Sequence, residues 1–264
     1  GDLAFSEIEN FNIFGGLALA SITGIVVIGG LKRIAEVATF LVPLMGSIYF
    51  GSMIIALMLN LDLVLPAFKL ILVDAFNGTA IAGGTFFGVL IYGVRRGAFS
   101  NEAGMGTESL VHGVAKVSNP VKQGLVAMTG PIFDTLIICT ATALMILVSG
   151  VWDTSSSQGV TLTAEAFSIL LGNFGGFILF ICVICFGLST IFTYSYYGAS
   201  CSRFLFGNFG MKFYIYLYIF SIFIYSIVPI DIAINIADGA FALMAIPTLI
   251  SVSYTHLTLP TSPK

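Results

Sequence analysis

Long apolar runs separated by short polar ones set the pattern of this chain. A helix that crosses a bilayer needs about 20 mostly apolar residues, and seven stretches come near that length. They run from about 11 to 30, 38 to 59, 80 to 94, 125 to 151, 174 to 197, 213 to 230 and 232 to 252. The third is short and rich in glycine. These segments are apolar all round, which argues against amphipathic helices lying on a surface. Leu63 to Phe76 is apolar but too short to span, so it reads as a re-entrant or interfacial helix packed over the bundle. From Ser253 to Lys264 the pattern gives way to polar residues with two prolines. That stretch is set aside as a non-native tail, leaving residues 1–252 as one transmembrane bundle. The chain opens at Gly1 with no methionine and reads as an internal fragment.

Composition agrees with the pattern. Apolar residues make up 58% of the chain and charged residues 9%, against about 25% charged in soluble domains. Mean hydropathy is +1.04. A water-facing globule is excluded, since too little polar surface exists to cover one. The net charge of −3 matters less than where the charges lie. Asp2, Glu7 and Glu9 precede the first run, and Lys32, Arg33 and Glu36 follow it. Asp62, Lys69 and Asp74 lie after the second. Arg95, Arg96, Glu102, Glu108, Lys116 and Lys122 lie after the third. Asp153 and Glu165 come next without a base, then Arg203 and Lys212 without an acid, then Asp231 alone. Basic and acidic connections alternate across all seven runs. Lysine and arginine favour the cytoplasmic side, so residue 1 is expected outside and the loops at 31–37, 95–123 and 199–212 inside.

No hydrolase elbow, phosphate loop or metal-ligand cluster appears. Cys182 and Cys185 form a C-x-x-C inside an apolar run and read as small buried hydrophobes. Polar groups at membrane depth are costly, so each is a candidate for function. Residues 76–90 read FNGTAIAGGTFFGVL. Gly83 and Gly84 would let a helix unwind and expose backbone groups to a cavity, or would let helices pack closely. Ser189 and Thr190 are adjacent hydroxyls in an apolar run, with the carbonyl of Phe186 one turn earlier and Tyr194 one turn later. Together they suit a sodium ion, or the hydroxyls bond back to their own helix. Asp134, within the fourth run, suits a proton relay, a cation site or a structural partner of a cytoplasmic arginine. In GVRRGAFSNEAGMGTESLVHG, residues 93–113, Ser100, Asn101 and Glu102 suit turns and caps. Arg95 and Arg96 anchor a span end, and Glu102 is expected to pair with them across an inner gate.

That last run resembles the signature of the alanine or glycine:cation symporter family, the sodium:alanine symporters. RRGAFSNEAGMGTES, NPVKQGLVAMTGPIFDTLIICTATALMILVSG, STIFTYSYYG and IADGAFALMAIP follow in the family's order across residues 11–252. The resemblance implies an all-α polytopic membrane protein, part of a LeuT-like bundle of inverted repeats, with about seven helices matching the family's fourth to tenth. The first three, including a broken first helix, would then be missing. It implies substrate contacts from Gly83, Gly84, Phe86, Leu90, Thr190 and Tyr194, where the family usually has tryptophan at the last. A sodium site would use Ser189, Thr190 and the Phe186 carbonyl. The implied function is sodium-coupled symport of alanine or glycine across a prokaryotic cytoplasmic membrane, with no enzyme chemistry, no cofactor beyond the coupling ion and no nucleic-acid partner. A symporter for another small organic solute, a channel and a non-transporting subunit stay open. The 264 residues alone are expected not to transport.

Overall fold

The structure is a computed structural model that describes residues 2–76 and 85–258; the side chains of 2–11, 31, 85–86, 231 and 255–258 are left aside. Every described element is helical. In chain order they are α1 (Asp2–Val27), α2 (Gly30–Leu59), α3 (Leu61–Ala75), α4 (Thr85–Asn101), α5 (Thr107–His112) and α6 (Pro120–Pro131). A π-helical segment (Ile132–Cys139) follows, then α7 (Thr140–Ser149), α8 (Val151–Thr154), α9 (Val160–Leu171), α10 (Asn173–Ile227) and α11 (Ile230–Thr258). Four stretches among the described residues are long and apolar enough to cross a membrane: Lys32–Leu59, Pro120–Ser149, Asn173–Ile227 and Ile232–Tyr254.

Two differences from the sequence reading have clear causes. The basic connections at 31–37 and 199–212 are helical rather than open loops. α2 begins at Gly30, whose φ of 77° marks the turn after α1, and Arg33 donates to the Ile25 carbonyl near the end of α1 at 2.9 Å. An arginine at that end satisfies a carbonyl that has no partner within the helix. α10 spans 55 residues, which as one rod would measure about 80 Å, far beyond a bilayer core of about 30 Å. Gly207 breaks it with φ 68° and ψ −160°. Beyond that break the chain doubles back, because Tyr218 donates to the Ile191 carbonyl at 2.8 Å and Gly198 lies against the ring and hydroxyl of Tyr214. The fifth and sixth predicted segments are therefore the two limbs of one bent element.

The chain divides into two compact units. Unit 1 holds residues 1–39, 102–116 and 188–264, and unit 2 holds 40–101 and 117–187. In unit 2 the core gathers around Tyr49, Met53, Ala56, Met145, Phe167 and Cys182. Tyr49 stacks on Phe167 with ring centroids 5.6 Å apart, and its hydroxyl meets Thr142 Oγ1 at 2.9 Å. Cys182 is fully buried there, as its apolar context implied. α3 does form as a short helix and packs through Ala67 against Leu144 and Val148 of α7. α6 starts where Asn119 Oδ1 accepts from the Val121 amide at 2.9 Å with Pro120 at the first turn, a capping arrangement that proline favours.

In unit 1, Val27, Ile34 and Phe192 form the core, and small residues bring α1 onto the second limb of α10. Gly16 abuts Ser226, and Gly24 would place a Cβ 3.7 Å from Ile219. Lipid tails are as apolar as leucine, so close packing rather than water exclusion drives such contacts. Thr23 is fully buried on α1, and among the described residues its hydroxyl has no partner. α11 remains helical to Thr258, past the point where the sequence pattern changes; residues 259–264 lie outside the described residues.

Three expectations follow for stability, each measured as thermal melting in detergent. Gly16→Val should destabilise by about 1–3 kcal/mol through overpacking against Ser226. Gly15→Ala, which meets nothing within 4 Å, should be neutral or stabilising by up to about 1 kcal/mol. Thr23→Val should stabilise by about 1 kcal/mol, because it removes an unsatisfied buried hydroxyl at constant shape.

Candidate functional site

The residues of interest fall into three groups; the first lies in unit 1, the third in unit 2, and the second is divided between them. The first is centred on Glu102 in unit 1. The stretch Glu102–Gly106 is a turn in which Glu102, Gly104 and Gly106 take φ values of 56°, 81° and 91°. Glycine adopts such angles freely, whereas for glutamate they cost on the order of 1–2 kcal/mol. The Met105 amide closes the turn on the Glu102 carbonyl at 3.0 Å. Gly106 sits directly against Thr248 of α11 and leaves no room for a side chain.

That strained backbone aims the carboxylate at three hydroxyls. Thr107 Oγ1 donates to Glu102 Oε2 at 2.5 Å, Tyr194 Oη donates to Oε1 at 2.8 Å, and Tyr197 Oη donates to Oε2 at 3.4 Å. Thr107 is buried and the two tyrosines are half-buried. Hydrogen bonds to a charged acceptor are worth about 1.5–3 kcal/mol each, enough to offset the backbone strain. The Tyr194 ring also meets Tyr197 at 5.3 Å and stands edge-on to Phe241 of α11 at 5.9 Å. Tyr194 is thus fixed at its hydroxyl and on its ring.

Sequence reasoning singled out Glu102 and Tyr194 separately and assigned Glu102 to Arg95 and Arg96. Within its own unit the carboxylate is taken up by hydroxyls, and within unit 2 Arg96 lies over the Tyr92 ring, 5.0 Å from its centroid. Arg95 and Arg96 belong to unit 2 and Glu102 to unit 1. Thr107, Tyr197 and Phe241 were not foreseen. Tyr197 had a signal, since it sits three residues after Tyr194 on the same helix face.

The second group is the predicted sodium set. Ser189 is buried at 6% exposure, whereas Thr190 is exposed. Adjacent residues on a helix point about 100° apart, so the two hydroxyls meet different surroundings. Thr193 Oγ1 donates back to the Ser189 carbonyl at 2.9 Å. Phe186 belongs to unit 2, where its ring stands edge-on to Tyr49 at 5.5 Å.

The third group surrounds Asp134 in unit 2. Pro131 lacks an amide and crowds the carbonyl four residues back, and just beyond it the helix widens to π geometry over Ile132–Cys139. Such widenings recur at functional sites. Asp134 Oδ2 accepts from Ser100 Oγ at 2.6 Å and from Thr135 Oγ1 at 3.2 Å. Asn101 Nδ2 donates to Thr135 Oγ1 at 2.9 Å. The Ser-Asn pair that ends α4 is therefore bonded to the π segment. Leu90 is exposed on α4 in the same unit. Gly83 and Gly84 lie outside the described residues, and of Phe86 only the helical backbone is described.

These groups fall within sequence that has known counterparts. Residues 3–258 match the model of the sodium:alanine symporter family. The chain belongs to that family. It is 35% identical over 257 residues to an uncharacterized transporter, YflA, of Bacillus subtilis, covering 94% of this chain and 54% of that protein. It is 35% identical over 238 residues to the sodium/alanine symporter AgcS of Methanococcus maripaludis, covering 89% and 52%. A probable sodium/glutamine symporter, GlnT, of Bacillus subtilis is 34% identical over 238 residues, covering 90% and 50%. The chain thus spans about half the length of these relatives. The family is one of symporters, not of enzymes, and with the long apolar helices it marks a multi-pass membrane protein.

The Glu102 turn makes a sharp prediction for this family member. Glu102→Ala should lower thermal stability by roughly 2–4 kcal/mol as three hydroxyls lose their acceptor. Glu102→Gly should be about 1 kcal/mol more stable than Glu102→Ala, because the left-handed backbone suits glycine. An alanine variant as stable as the glycine variant would show that the turn relaxes and stores no strain.

Proposed function

We propose that this chain forms part of a sodium-coupled symporter of small neutral amino acids, alanine or glycine foremost. The observation that carries the reading is Tyr194, held in place by Glu102 one turn beyond Ser189 and Thr190, in a chain that matches the symporter family almost end to end. On this reading Tyr194, with Thr190, Gly83, Gly84, Phe86 and Leu90, limits the substrate pocket. Ser189, Thr190 and the Phe186 carbonyl hold the sodium ion. Glu102 acts as a positioning residue, Asn101 and Asp134 keep α4 bonded to the π segment, and Arg95 and Arg96 anchor the cytoplasmic end of α4.

The reading extends to architecture. The chain would supply about seven helices of a LeuT-like inverted-repeat bundle, the family's fourth to tenth, with Gly83-Gly84 at the second broken helix. Broken helices present backbone groups to a substrate near the midplane. Residue 1 would face outward and residues 31–37, 95–123 and 199–212 the cytoplasm of a prokaryote. Sodium and substrate would be linked because each changes the affinity for the other by the same factor. A second substrate, glutamine, is favoured by the comparable identity to GlnT.

The test is uptake by the complete protein that carries this chain, reconstituted in proteoliposomes. Labelled alanine should accumulate with an inward sodium gradient and not with choline. Unlabelled glycine should compete, and competition by glutamine at equal concentration would move the substrate assignment to the larger amide. Ser189→Ala should raise the sodium concentration for half-maximal uptake about tenfold, the loss of one good ligand. Uptake indifferent to both sodium and proton gradients would sink the symporter reading.

A further inference from the structure

Unit 1 contains a cavity of about 640 Å³ bounded by the end of α1, the start of α2 and both limbs of α10. Its walls are mostly apolar: Val27, Ile34, Ala199, Met211, Ile215 and Tyr216. Two cations, Arg203 and Lys212, also line it. Among the described residues neither has a salt-bridge or hydrogen-bond partner, and both are exposed. Ile28 and Tyr216 are shared with an adjoining, more open furrow of about 680 Å³ that follows Leu17, Ala20, Gly24 and Ile25 along α1. Arg33 stands at the same end of that furrow as Ile28 and Gly29.

The geometry has two parts. From Leu17 to Ile28 the furrow covers eleven helical steps, about 16 Å. That is the depth of one leaflet, half of a hydrocarbon core of about 30 Å. Arg33 lines one end of this length, Arg203 and Lys212 line the cavity that adjoins it there through Ile28 and Tyr216, and along the rest lie apolar and small side chains. A soluble phosphate would satisfy the cations and leave the furrow empty. An apolar helix that filled both the furrow and the cavity would cover Arg203 and Lys212 without a countercharge, which is costly, and one that filled the furrow alone would leave them unanswered. A molecule with an anionic head and apolar tails meets both demands, and basic pockets between helices at a membrane face hold such heads.

We propose that unit 1 carries a binding site for an anionic glycerophospholipid. Its phosphate rests on Arg203 and Lys212 with Arg33 alongside, and an acyl chain lies along α1 between Leu17 and Ile28. The distribution of basic residues places this end at the cytoplasmic leaflet. The inference does not depend on the transported substrate, because none of these residues belongs to the Glu102, Ser189 or Asp134 groups.

The complete protein that carries this chain, in mild detergent and measured by native mass spectrometry against phosphatidylglycerol and phosphatidylcholine of matched tails, gives the test. Phosphatidylglycerol should bind roughly 10- to 30-fold more tightly, as two cations near an anionic surface provide. Arg203→Gln with Lys212→Gln should abolish that preference, and Lys212→Gln alone should reduce it. Lys32→Gln removes a charge from the same end but outside the cavity, where Lys32 faces Glu36 at 4.0 Å, and should leave the preference intact. Millimolar inorganic phosphate or glycerol 3-phosphate should not displace the lipid. Equal retention of the two lipids, a preference that survives the double substitution or is lost equally with Lys32→Gln, or displacement by free phosphate would each overturn the proposal.

Discussion

A carboxylate inside an apolar protein must find donors within the protein, and Glu102 finds three. Its acceptors organise much of unit 1. The short turn from Glu102 to Gly106 has to take left-handed angles to present the carboxylate, which is why two of its residues are glycines. Thr107 donates at the first position of α5, while Tyr194 and Tyr197 donate from α10. The tyrosines carry large apolar rings with one polar tip, so each needs a partner when buried. Glu102 supplies it for both, and Phe241 of α11 then closes on the Tyr194 ring. One ionised group therefore links the turn, α10 and α11.

Packing around that link relies on small residues. Helices in lipid gain little from hiding apolar surface against one another, so they associate where backbones can approach. Gly16 against Ser226 and Gly198 against Tyr214 are such approaches. The second also requires the bend at Gly207, since only a doubled α10 brings residues 198 and 214 together. Tyr218, bonded to the Ile191 carbonyl, clamps the two limbs further along. In unit 2 the same logic places Tyr49 at the centre, stacked on Phe167 and bonded to Thr142.

What could be read from the chain follows from the range of each interaction. Helical character over 38–59, 125–151 and 174–197 is a local property of apolar runs, and the helices stand there. The partnership of Glu102 with Tyr194 joins residues 92 positions apart, and nothing in either neighbourhood announces it. Proximity in sequence suggested only Arg95 and Arg96, because the left-handed turn that aims the carboxylate at Tyr194 leaves no local pattern. Asp134 shows the same limit: the arginine partner favoured by charge alone leaves out Ser100, whose hydroxyl reaches it because α4 ends beside the π segment. The helical state of residues 31–37 was also hidden, since charged residues at membrane edges read alike as loops and as helix ends.

The tyrosine at position 194 bears on how such a protein would transduce binding. A ring held only by packing can shift without penalty, but one whose hydroxyl donates to a carboxylate moves only with that carboxylate. Glu102 sits in the left-handed region at φ 56°, which a residue other than glycine occupies only where its surroundings hold it. A substrate or ion that pressed on Tyr194 would work against the three hydroxyl bonds and with the backbone strain at once. The bonds, at about 1.5–3 kcal/mol each, outweigh a strain on the order of 1–2 kcal/mol, so the turn keeps its left-handed angles and holds Tyr194 with it. Freeing Tyr194 costs its bond to the carboxylate, about 1.5–3 kcal/mol, and its edge-on contact with Phe241, so the turn fixes the ring together with α10 and α11.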